Sequence, residues 1–113
     1  MDDLLYNYHD AALESIQFHQ HTLELHISFY PIVYTSQLEM KLVIETITNL
    51  ITCEKWVNLL STTYQEENEN RLGARINTIF LDSTKKNQLI IAIDSIKNVK
   101  LNFTNIKEIL IDN

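Results

Sequence analysis

Between Glu14 and Phe29 the chain alternates, with Leu23, Leu25, Ile27 and Phe29 on one side and Thr22, Glu24, His26 and Ser28 on the other. A period of two marks a strand with one buried and one wet face. Ile16 and Phe18 supply the buried side of a preceding strand, and the polar run His19, Gln20, His21, Thr22 predicts a tight turn between the two. The stretch therefore predicts a β-hairpin, and its second strand fixes which side of the domain is inside.

The alternation resumes downstream. Leu38, Met40, Leu42 and Ile44 oppose Glu39, Lys41, Val43 and Glu45, which predicts a strand running from Leu38 to about Cys53 with an irregular point near Asn49. Residues 47–64 are open to either reading: Ile47, Leu50, Ile51, Val57, Leu60 and Tyr64 fit helical spacing, whereas the threonines and isoleucines favour extended chain. The assignment taken is a short helix over Glu54–Tyr64. Gln65–Arg71, QEENENR, reads as a loop, Ile76–Asp82 and Gln88–Asp94 as two strands joined by a polar hairpin loop, and Val99, Leu101 and Phe103 as a further strand. Ile106–Ile111 predicts a last strand, and residues 1–13 a short helix or an ordered arm. Pro31 ends strand pairing or confines it to an edge.

Together these elements predict a mainly β fold in a single domain over residues 1–113. The expected architecture is an antiparallel β-sandwich or curled β-meander sheet with one short helix. Parallel βαβ units would need helical crossovers that the pattern does not contain.

Composition narrows the chemistry. One glycine, Gly73, and one proline leave no room for the glycine-dependent phosphate loops or nucleophile elbows. Turns then fall to the eleven asparagines and to Asp and Ser, which tolerate the left-handed backbone region. Cys53 is the only cysteine, so no internal disulfide forms, and a buried structural thiol is expected. No apolar run reaches the roughly 18 to 20 residues of a membrane span, and MDDLLYNY lacks a basic leader region, so the expectation is a cytoplasmic protein without membrane contact.

Charge is unevenly distributed. The net charge is −6, and residues 1–40 hold six acids with no Lys or Arg, whereas the rest of the chain balances nine acids with nine bases. All four histidines and six of the ten aromatics lie in that first third as well. Nucleic acid is not expected as a partner, because binding it needs a basic footprint. A basic protein is the natural complement.

Catalysis and metal binding find little support in the pattern. His19 and His21 at i, i+2 share a strand face, with His26 across the hairpin, but zinc needs three or four placed ligands. His9 and Asp10, adjacent in sequence, would point to opposite faces of a strand. The expectation is no enzyme, no metal and no cofactor. A small metal-dependent enzyme using His19 or His21 is the outlying alternative.

The opening YHDAALESI, the alternating TLELHISF, the later IETITNL and the Ile-rich NIKEILI together resemble small bacterial immunity proteins of polymorphic toxin systems, including contact-dependent growth inhibition immunity proteins. The segment Glu54–Arg75 has no counterpart in that pattern. The resemblance implies binding to a cognate toxin domain, a secreted nuclease or other basic toxin, by an acidic, aromatic face. Asp10, Glu24, Tyr30, Tyr34 and Glu39 are the candidate contacts, with Glu66, Glu67 and Glu69 as a second cluster. None of these residues is carried over by motif. The alternative is a structural or regulatory interaction module, with a homo-oligomer formed by pairing sheet edges.

Overall fold

The computed structural model describes residues 4–29, 38–68, 73–82, 84–85, 87–94 and 96–111, with 65–68 by backbone alone. Its seven antiparallel strands are β1 (Ala12–His19), β2 (Thr22–Ser28), β3 (Glu39–Glu45), β4 (Ala74–Leu81), β5 (Gln88–Ile93), β6 (Val99–Asn102) and β7 (Asn105–Leu110). One helix, α1 (Leu50–Asn68), interrupts them between β3 and β4. The fold is mainly β and antiparallel, as the alternation predicts.

The strand order is β6-β5-β4-β1-β2-β3-β7, which departs from a simple meander at two places. β1 meets β4 through only two residue pairs, Ala12↔Arg75 and Leu13↔Ala74. β3 meets β7 along six, from Met40↔Leu110 to Glu45↔Asn105. β6 and β7 stand at opposite ends of the order, yet only Phe103 and Thr104 separate them in the chain. Two residues span no more than about 7 Å beyond their flanks, so the sheet must curl until its ends meet. The narrow β1–β4 pairing is where it bends.

The hairpin of β1 and β2 forms as expected. Directly opposed residues share a sheet face, so Leu13↔Ile27, Ile16↔Leu25 and Phe18↔Leu23 all point inward. Glu14 is the extra residue of a bulge between Leu13 and Ser15, which keeps Leu13 and Ile16 on the same face despite their odd spacing. Leu13, Leu23, Leu25, Ile27, Met40, Leu42 and Ile44 are completely buried and form the centre of the core. Gln20, the first residue of the two-residue turn, has φ of 57°. Thr46, Asn87, Asp10 and Asp94 also take left-handed backbone; three of the five are the Asn and Asp expected to make turns.

The helix differs from the expectation in both directions. β3 stops at Glu45 instead of running to Cys53, and α1 begins at Leu50 and continues through Asn68, into the stretch read as loop. Burial decides the first boundary. Cys53, Trp56 and Leu60 enter the core at helical spacing, with Leu50, Val57 and Tyr64 packed beside them. A continuous strand would have split that stripe across two faces. Of the threonines that favour extended chain, Thr46 and Thr48 precede the helix; within it, Thr62 and Thr63 turn their hydroxyls one turn back, to the Asn58 carbonyl at 2.8 Å and that of Leu59 at 2.7 Å. At the other end, Gln and Glu have high helix propensity, so polarity alone does not end a helix. α1 packs against β6 and β1. No helix among the described residues is long and apolar enough to cross a membrane.

Residues 4–11 form an ordered arm without helix, the second of the two readings. Tyr8 is buried, its ring 5.5 Å from that of Phe29. The Tyr8 hydroxyl donates to Glu108 Oε2 at 2.5 Å, and the amides of Leu5 and Tyr6 donate to the same carboxylate at 2.8 and 3.2 Å. Glu108 opposes Leu42 and so lies on the inner side of β7, where it ties down the arm.

Candidate functional site

Two regions of the surface carry concentrated polar chemistry. The first is the outer face of β1, β2, β3 and β7. Register places Glu24 and His26 of β2, Glu39, Lys41, Val43 and Glu45 of β3, and Asn105, Lys107 and Ile109 of β7 on that side. Ser15 and Gln17 of β1 complete the rows, opposite His26 and Glu24. Ser15, Gln17, Glu24, His26, Lys41 and Ile111 line a hollow of about 310 Å³ there.

The acids of this face are matched by basic side chains. Lys41 Nζ lies 3.8 Å from Glu24, His26 Nε2 lies 3.1 Å from Glu39, and Lys107 Nζ lies 3.4 Å from Glu45. The Asn105 amide, donating to Glu45 at 2.7 Å, is the main cause holding that carboxyl below its ordinary range, with Lys107 assisting. Asp10 stands at the β1–β4 bend, where Arg75 donates to it at 2.8 Å. Arg75 also donates to the Asn77 amide oxygen at 2.9 Å. Acids that looked unopposed along the chain thus acquire partners from later strands.

Of the candidate contacts, Glu24 and Glu39 share this face on adjacent strands, and Asp10 lies at its margin, half exposed. Tyr30, Tyr34 and Glu69, and the side chains of Glu66 and Glu67, lie outside the described residues. His9 and Asp10 were expected to diverge as neighbours on a strand. Asp10 instead turns through φ of 66°, and its Oδ2 comes within 3.3 Å of His9 Nε2, while His9 Nδ1 sits 2.7 Å from the Asn77 carbonyl. His19 and His21 are exposed at the hairpin end. Among the described residues, no group of three or more His, Cys, Asp or Glu is placed to hold a metal ion.

The second region is a groove of about 500 Å³ between α1, β5, β6 and the turn before β6. Asn49, just before α1, and Thr52, Lys55, Trp56 and Leu59 of the helix line one side; the sheet side contributes Gln88, Lys97, Asn98, Val99 and Lys100. Asn49 is fastened to β6 rather than capping its own helix: its amide donates to the Lys100 carbonyl, and its side-chain oxygen accepts from the Asn102 amide, both at 2.8 Å. The first turn of α1 holds no acid. Trp56 Nε1 and Gln88 Oε1 are buried without a hydrogen-bond partner among the described residues, although Gln88 Nε2 donates to Asn102 at 3.0 Å. Neither residue was singled out in the sequence. The available signal was the close spacing of Lys97 and Lys100 in a chain otherwise rich in acid, which only the fold brings beside Lys55.

Cys53, one helical turn before Trp56, is completely buried, and burial pushes its thiol up to about 11. It is an inert core group, as expected. Near the same helix, Tyr64 donates to Asp94 at 3.2 Å, and burial followed by the Asp94 charge raises its phenol.

In comparisons with protein-family models, curated proteins and solved structures, nothing matches this chain.

Proposed function

We propose that this chain is a non-catalytic binding protein of the immunity type, which neutralises a basic toxin domain by docking it on the outer face of β1, β2, β3 and β7. The observation that supports this reading is the placement of Glu24 and Glu39 on adjacent strands of that face, with Glu24 lining its hollow and no covering element among the described residues. Their pairing with Lys41 and His26 does not oppose it. Exposed ion pairs are worth about 0 to 1 kcal/mol, so a partner's Arg or Lys can replace the internal cation at little cost. Strands hold the carboxylates in fixed register, which favours discrimination between partners and fast encounter. Asp10 extends the acidic positions toward the bend.

The test is the double charge reversal Glu24→Lys with Glu39→Lys, assayed against the basic product of the neighbouring reading frame. Binding weakened by about tenfold or more, with an association rate that falls as salt rises, is the expected result. Unchanged affinity overturns the assignment of this face.

A second reading, self-association, has one observation in its favour. β7 is an edge strand paired on one side with β3, and its Ile109 and Leu110 remain nearly half exposed. Edges of that kind are templates for pairing with another copy. A solution mass of one chain at micromolar concentration removes this reading.

A further inference from the structure

We propose that the groove between α1 and β6 is a binding site for a small organic anion, a phosphate ester or polycarboxylate that also carries a hydroxyl group. Lys55, Lys97 and Lys100 converge on it from three different segments, and none of them forms an ion pair with a described residue. The described residues lining the groove include no carboxylate. In a chain of net charge −6, this hollow concentrates positive charge, whereas the outer-face lysines Lys41 and Lys107 stand beside glutamates.

The helix adds to the field. The Asn49 side chain is engaged with β6, and no acid occupies the first turn, so the positive end of a 19-residue helix opens beside the lysines without a side-chain cap from Asn49. Separately, the wall and floor contain two polar atoms that no described residue satisfies. Trp56 Nε1–H requires an acceptor, and Gln88 Oε1 requires a donor. Buried groups of this kind are rare in folded proteins, because each lost hydrogen bond costs about 1 to 3 kcal/mol.

A ligand with an anionic oxygen and a hydroxyl group answers both requirements. The anion faces the lysines and the helix end, and its oxygen accepts from Trp56; the hydroxyl donates to Gln88. Both atoms lie beneath the surface, so seating the ligand requires the Gln88 amide and the indole edge to turn toward the groove. A volume of about 500 Å³ lies within the range of small-molecule sites. Size selects against a polyanion such as nucleic acid, which would meet the repulsion of the net negative chain beyond the groove.

Trp56 is the only tryptophan, so its indole N–H gives a single, unambiguous resonance. Titrations at constant ionic strength with glycerol 3-phosphate, citrate and inorganic phosphate, read at that resonance, separate the ligand sources. The expected result is a saturable downfield shift with a Kd below about 1 mM for an organic phosphate or for citrate, weaker for inorganic phosphate, which has no carbon body to fill the groove. Lys97→Gln and Lys100→Gln, both at exposed positions, each weaken binding up to about fivefold. Gln88→Leu reduces the preference for a hydroxylated ligand. Shifts that fail to saturate with every probe, or that persist unchanged when all three lysines are Gln, overturn the proposal; an indole N–H resonance that stays fixed while binding occurs elsewhere does so too.

Discussion

The outer sheet face and the α1–β6 groove hold similar numbers of lysines and solve opposite electrostatic problems. On the face, each basic side chain stands beside an acid on a neighbouring strand: Lys41 beside Glu24, Lys107 beside Glu45, His26 beside Glu39. In the groove, Lys55, Lys97 and Lys100 stand together. Asp82 feels a groove lysine only weakly: its carboxyl is lowered first by the Thr84 hydroxyl and amide and last by Lys100. A sheet mixes distant parts of the sequence by cross-strand pairing, whereas a helix beside a turn gathers whatever residues its exposed stripe carries. Charge balance is therefore a property of register, and it is reached only where strands lie side by side.

Several measurements would sharpen or break this contrast. The largest effect is expected at Trp56. Trp56→Ala removes a buried ring that forms both core and groove wall, and should destabilise by about 3 to 5 kcal/mol in urea unfolding. Trp56→Phe keeps most of the ring but deletes the partnerless N–H, so it should stay within about 1.5 kcal/mol of the parent. A loss for Phe as large as for Ala would mean that the indole N–H is satisfied in the free protein, and would remove half the case for the groove.

Next in size is an alkaline effect from Cys53. Its folded value of about 11 exceeds the ordinary thiol value of 9.0, so the folded state holds the proton more tightly. The associated stability is fully present below pH 9 and is lost as pH rises through 11, on the order of 2 to 3 kcal/mol. Unfolding midpoints measured from pH 8 to 11 should fall for the parent, and fall less for Cys53→Ala. Equal slopes would show that this side of α1 is open to water.

Smaller still is the outer face. A double-mutant cycle on Glu24 and Lys41 should give a coupling below about 1 kcal/mol that shrinks in salt. A coupling of 2 kcal/mol or more would make the pair a structural element too costly to exchange with a partner. The smallest effect is at the groove rim, where Lys97→Gln should leave stability within about 0.5 kcal/mol, since no acid loses its partner.

The central strands were legible because their residues alternate over seven positions with apolar inner rows: Leu23, Leu25, Ile27 of β2 and Met40, Leu42, Ile44 of β3 are buried as the pattern states. What was not legible has three physical sources. Leu50–Tyr64 contains β-branched residues at positions whose burial is helical, so propensity and packing disagree and packing prevails. The bulge at Glu14 and the left-handed turns at Gln20 and Thr46 involve residue types that give no turn signal. Cross-strand pairing of distant segments, β1 with β4 and β3 with β7, has no local signature, and those pairings govern the neutralised face. Glu24 and Glu39 could thus be named as surface residues from the sequence; their cations could not, nor could the convergence of Lys55 with Lys97.

The two-residue link at Phe103 and Thr104 has a kinetic consequence. Because β7 closes the sheet by pairing with β3, and carries the Glu108 that secures Tyr8 one hundred residues earlier, the seam cannot form until both distant partners are in place. Joining such remote segments requires loop closure before any contact rewards it, and chains of this topology fold in milliseconds to seconds rather than microseconds. Before that event β3 presents an unpaired strand edge to other chains, so aggregation during refolding should be suppressed by whatever hastens the arrival of β7.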